Sequence, residues 1–148
     1  MILQRGTVLN ILSDGFSRFI GDEDFPKLTI IADDNYSTVG RDWVITAITT
    51  DPILSPSHYV NNVFDCDDYV LYLKTKISLY AQSNKLKSPL ALGFIMTNRH
   101  AFNFCIDDNR DIHIINTQSD DKASTSDPSS FEAFLNLTGS NSIQFIYI

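Results

Sequence analysis

Two cysteines and three histidines make up the nucleophile and base inventory of this 148-residue chain, which allows six Cys–His pairings. They cannot assemble a Cys₄ or Cys₂His₂ zinc site at familiar spacing. Cys66 follows Asp65 at the head of an apolar-periodic segment, which places it in the first turn of a helix. Unpaired backbone N–H groups and the positive end of the helix dipole stabilise a thiolate there. His100 and Asn116 flank the turn-rich string Asp107-Asp108-Asn109-Arg110-Asp111. A hairpin centred near Asp108 sets His100 opposite Asn116, with Gln118 in diagonal reach. If the helix start meets that end of the hairpin, the set is Cys66 as nucleophile, His100 as general base and Asn116 as the group orienting the imidazole. His113 lies nearer the turn, opposite Asn103 or Phe104. Asp65, Asp67 and Asp68 oppose a thiolate at Cys66 unless they point away or are neutralised by caps or a cation.

The elements that must position these residues are legible to different degrees. Val70, Leu73, Ile77 and Tyr80 recur at three- and four-residue steps and predict a helix over about 65–83, with Asp65 as N-cap and Asp67 and Asp68 in the first turn. The apolar stretch 90–97 and the alternating stretches 100–106 and 112–118 read as strands, the last two joined as a hairpin. Residues 127–135 read as a capped short helix ended by Gly139, followed by a strand over 142–148. Residues 21–42 and 51–63 read as turn-rich, with a strand candidate at 27–32, and 119–130 as a polar loop. Segment 41–50 is open between strand, from its β-branched residues, and a short helix capped by Asp42. The expected fold is α+β, with the helix packed on an antiparallel meander in one domain spanning 1–148.

Composition bounds the partners. The net charge is −7, and 16 of the 18 acids are Asp. That balance excludes a cationic footprint for nucleic acid. Nowhere do 18 apolar residues run together, and the first residues lack the pattern of a signal peptide, so neither a membrane span nor secretion is expected. A cytoplasmic or a phage- or virion-associated setting fits this reading, with Cys66 and Cys105 as free thiols. Nothing in the sequence sets an oligomeric state. Asp107-x-Asn109-x-Asp111 alternates oxygen ligands as a calcium loop does, but Ile112 occupies the position of the obligatory glycine, so an EF-hand is excluded.

The strings Phe64-Asp65-Cys66-Asp67-Asp68-Tyr69-Val70, Leu92-Gly93, His100-Ala101-Phe102-Asn103 and Asn116-Thr117-Gln118 resemble the papain-like and transglutaminase-like cysteine peptidases. The likeness is nearest to the C-terminal cysteine-protease domain of the fungal Marasmius-type agglutinin, and it covers about residues 59–121. It implies a papain-like core and a thiol protease acting on a protein or peptide, with Cys66 attacking and His100 moving the proton. It further implies support for the oxyanion from Gln118 and Tyr59, and calcium activation, for which Asp65, Asp67 and Asp68 are the candidate ligands. Asn116 stands where such proteins usually carry an acid. The string around Cys66 also looks like that of the NlpC/P60 cell-wall peptidases. The competing class is a non-catalytic binding or structural protein with a vestigial triad.

Overall fold

The computed structural model describes residues 1–20, 25–54, 60, 61, 63, 65–117, 122–124 and 128–148. Tyr59 and Gln118, the two expected supports of an oxyanion, lie outside them, as does His58.

A short strand β1 (Ile2–Gln4) leads into helix α1 (Arg5–Ile20), which buries Val8, Leu12, Gly15 and Phe16 along one side. This helix is absent from the sequence reading. Its apolar steps are regular, but Thr7, Asn10, Ser13, Asp14 and Gly15 are weak helix formers, and the stripe is held by packing. A turn of helix α2 (Phe25–Leu28) and strand β2 (Thr29–Ile30) occupy the expected strand at 27–32, and β3 (Asn35–Ser37) pairs antiparallel with β1. The open segment 41–50 is a helix, α3 (Arg41–Thr49). Its N-cap is Gly40 rather than Asp42, which lies in the first turn. Val44 is buried and Trp43 lies against Tyr80 at 4.9 Å between ring centroids. Contact with the next helix thus decides between strand and helix where propensity does not.

Helix α4 (Cys66–Ser83) is as predicted from its periodicity, with a buried stripe of Tyr69, Val70, Leu73, Ile77 and Ala81. Tyr80, counted in the predicted stripe, is exposed and takes Trp43 instead. Strands β4 (Leu92–Thr97), β5 (Ala101–Ile106) and β6 (Ile112–Ile115) follow, then β7 (Lys122–Ser124) inside the expected polar loop. Helix α5 (Pro128–Leu137) ends near Gly139, whose φ of 68° is the left-handed geometry that glycine supplies at a helix end. Strand β8 (Ile143–Tyr147) completes the sheet.

The larger sheet runs β2-β8-β4-β5-β6-β7. It is antiparallel except for β2 and β8, which are parallel. The α+β class is therefore as expected, but the simple meander is not, because β8 returns to lie between β2 and β4.

Side chains alternate across this sheet. Phe102, Phe104, Ile106, Ile112, Ile114 and Ile146 join Val8, Leu12 and Phe16 of α1 and Phe131 and Phe134 of α5 in one core. Leu92, Cys105 and Ile115 point the other way, into a second core with Val44 of α3 and Tyr69, Leu73 and Ile77 of α4. Gly93 stands at the closest approach. A Cβ there would fall against the Tyr147 carbonyl and the Phe104 ring, so β8 and that ring can seat only over a bare α-carbon. Residues 51–54 are tied to α4 by buried Asp51, whose carboxylate pairs with Lys76 and accepts from the Tyr72 hydroxyl at 3.3 Å.

Candidate functional site

The N-terminus of α4 is closed by a capping box. Asp68 Oδ2 accepts from the Asp65 N–H at 3.3 Å, which uses one of the donors that a helix start leaves unpaired. Asp68 is thereby drawn into the cap. Asp65, Cys66 and Asp67 converge, with a ligand atom of each within 4.8 Å of the others. The candidate cation ligands are thus divided, with Asp65 and Asp67 near the thiol and the side chains of Asp65 and Asp68 both engaged in the cap.

α4 packs on β4 and β5 so that Cys66 joins Val70, Phe94, Ala101, Met96, Phe145 and Tyr147 in a half-buried apolar cluster. The rings of Phe94 and Tyr147 stack at 5.3 Å, and Phe145 adjoins both. Ala101 opens β5 directly after His100. Its backbone N–H is close enough to Cys66 to favour the thiolate, so the start of β5 and the start of α4 meet. His100 Nε2–H donates to Asn116 Oδ1 at 3.2 Å. The start of α4, the start of β5 and the end of β6 therefore lie at one end of the sheet.

The register that does this differs from the expected one. Asn103 faces Ile115 and Cys105 faces His113, so the hairpin is centred at residue 109. Arg110, at φ 69°, supplies the extra left-handed residue of the turn. His100 and Asn116 meet diagonally beyond the last paired residues, and His113 faces Cys105 rather than Asn103 or Phe104. Asn103 is fully buried on the same face, donating to the Val70 and Gly93 carbonyls at 3.2 and 3.1 Å. It fastens α4 to β4 just behind Cys66. The sequence reading gives Asn103 no role, because a single polar residue in an apolar strand carries no sign of its partners.

The electrostatics run against an ion pair. Burial pushes the Cys66 thiol above its ordinary value, the charges of Asp65 and Asp67 add to this, and the Ala101 amide opposes it. Burial holds His100 below its ordinary value, and the bond to Asn116 offsets part of the effect. Each shift favours the uncharged form of its own group. Asp67 is itself raised, first by a hydrogen bond to the Asp65 side chain, as befits two carboxyl groups that must share a proton or a cation. Cys105 is fully buried and its thiol is pushed up to about 12, mainly by burial, so it is an inert core residue. Both cysteines are free.

No family model and no curated protein matches this chain. Solved structures share its fold, two of them as follows. One is a complex of PSL1a with E64, at TM-score 0.72 and 14% identity, covering 99% of this chain and 51% of that one. The other is Polyporus squamosus lectin bound to the human-type influenza-binding epitope Neu5Aca2-6Galb1-4GlcNAc, at TM-score 0.65 and 14% identity, covering 99% of this chain and 49% of that one. The chain thus spans about half the length of each, and at this identity the likeness is one of fold.

These neighbours correct the resemblance drawn from the motifs. One of them is by name a lectin, and at 14% identity the likeness carries the fold, and no peptidase activity, to this chain. The expected identity as a papain-like or transglutaminase-like cysteine peptidase, whether of the agglutinin-protease or the NlpC/P60 kind, is set aside with its triad chemistry and its peptide substrate. The physical reason lies in the same residues. The helix start and the His100–Asn116 pair are in place, but burial and the Asp65 and Asp67 charges raise the thiol above its ordinary value, and burial lowers the imidazole. Motif spacing reports placement and is blind to protonation. Among the described residues no helix is long and apolar enough to cross a membrane.

Proposed function

We propose that this domain is a non-catalytic binding module on a papain-like layout, in which Cys66, His100 and Asn116 line the binding site as neutral polar groups. The observation that carries this reading is the half-buried Cys66 packed with Met96, Phe145 and Tyr147 at the end of the sheet where His100 Nε2–H meets Asn116 Oδ1. The half-buried Phe145 and Tyr147 beside Cys66 support it as a contact surface, since ring faces give large, rigid area at low entropic cost. Asp65 and Asp67 are where a cation such as calcium would enter, with Asp68 kept in the helix cap. The lectin neighbour is bound to a sialylated trisaccharide, which is therefore the first ligand to assay.

The test has two arms. Titration of the trisaccharide into labelled protein should shift the amide signals of Cys66, Ala101 and Tyr147. Iodoacetamide should label native Cys66 no faster than an ordinary thiol, with a rate that rises only above roughly pH 8.5. Wild type and Cys66→Ala should be alike in leaving a denatured protein substrate intact, with or without calcium. Hydrolysis by the wild type that Cys66→Ala abolishes would overturn the proposal.

A further inference from the structure

The turn of the β5–β6 hairpin gathers a second set of donors, away from Cys66. Asp107, Asp111 and His113 each place a ligand atom within 4.8 Å of the other two. The backbone explains why. Asp107 Oδ1 accepts from the Asn109 and Asp111 N–H groups at 2.8 and 3.0 Å, which folds the turn back on itself. Its other oxygen, Oδ2, is left facing His113 Nε2 at 2.9 Å. Register then sets His113 on the strand opposite fully buried Cys105, which closes the inner side of the cluster with an apolar wall. All three donors are half-buried.

From this convergence we propose that Asp107, Asp111 and His113 form a binding site for a divalent transition metal of the zinc class. Two carboxylates neutralise a dication, and the imidazole selects a borderline ion over a hard one. The structure removes the calcium reading of this loop, because Asn109 turns its backbone inward to Asp107 and His113 takes the third place. Calcium needs six to eight oxygen ligands and gains little from a ring nitrogen. Three protein ligands with a remaining position for water is a coordination that zinc accepts. The proton between His113 Nε2 and Asp107 Oδ2 leaves when the metal enters, and the imidazole then binds as the neutral ligand.

Calorimetric titration of the full chain with zinc, and separately with calcium, tests this. A zinc site is expected at the hairpin, with the His113 ring resonances shifting on saturation and calcium leaving them in place. His113→Gln and Asp111→Asn each keep hydrogen-bonding capacity. Each should weaken zinc by about tenfold or more, the scale that even outer-shell losses reach. The His113 ring reads this site alone, which separates it from the cluster at the α4 N-terminus and from the fate of the binding reading. Urea midpoints of the metal-free variants near that of wild type establish that they fold. A His113 ring that zinc leaves in place, or that calcium shifts as readily, would overturn the proposal.

Discussion

His100 is the residue at which fold and chemistry are most tightly joined. Its ring is held neutral by burial, while Asn116 Oδ1 accepts from Nε2–H and favours the charged form. The folded state therefore binds its proton at lower pH than the unfolded chain, whose histidine titrates near 6.5. Stability from this residue is fully present above about pH 6.5 and is lost as pH falls through the folded value. A ring-proton NMR titration should place His100 below 6.5, and Asn116→Ala should move it lower still, since the group that favours the charge is gone. A midpoint for His100 at or above 6.5 would mean that the ring is not buried as described. Much at this scale was readable in advance. Cys66 at the helix start and the neighbourhood of His100 and Asn116 follow from spacing. The protonation states do not, because they depend on how much water the folded chain removes from each group.

Elements show the same division between local pattern and tertiary contact. α4 was legible because its buried stripe is long and its first turn carries a strong cap. α1 and α3 were not, since weak helix formers in one and β-branched residues in the other hide helices that packing enforces. The hairpin was seen, but its centre was misplaced by one residue, because Arg110 in the left-handed region is no standard turn residue. Gly93 gives the sharpest prediction at this scale. The Tyr147 carbonyl is backbone and cannot swing away from an added methyl, and the Phe104 ring is enclosed by α1. Gly93→Ala should therefore cost about 3 kcal/mol or more, the upper end of overpacking, read as a fall in the urea midpoint with an unchanged slope. A loss below about 1 kcal/mol would show that β4 and β8 can part without penalty.

At the scale of the whole molecule, one sheet carries apolar cores on both faces, one against α1 and α5 and the other against α3 and α4. Because β4, β5 and β6 contribute alternate side chains to both, neither core can come apart while the other stays intact. Phe131→Ala on one face should cost about 3–5 kcal/mol and Leu73→Ala on the other about 2–5 kcal/mol, and both should lower one shared transition. Fluorescence of Trp43, on the α4 side, and far-ultraviolet circular dichroism should report the same midpoint. Separate midpoints would mean that the two layers unfold independently. The strand order adds a kinetic consequence. β8, the last strand of the sequence described, is neither an edge nor a finishing piece but the link between β2 and the rest of the sheet. During synthesis β2 leaves the ribosome more than a hundred residues before its partner exists. Until β8 emerges, β4 presents an open apolar edge, so the interval between those two strands is the period in which the nascent chain most needs shielding from its neighbours.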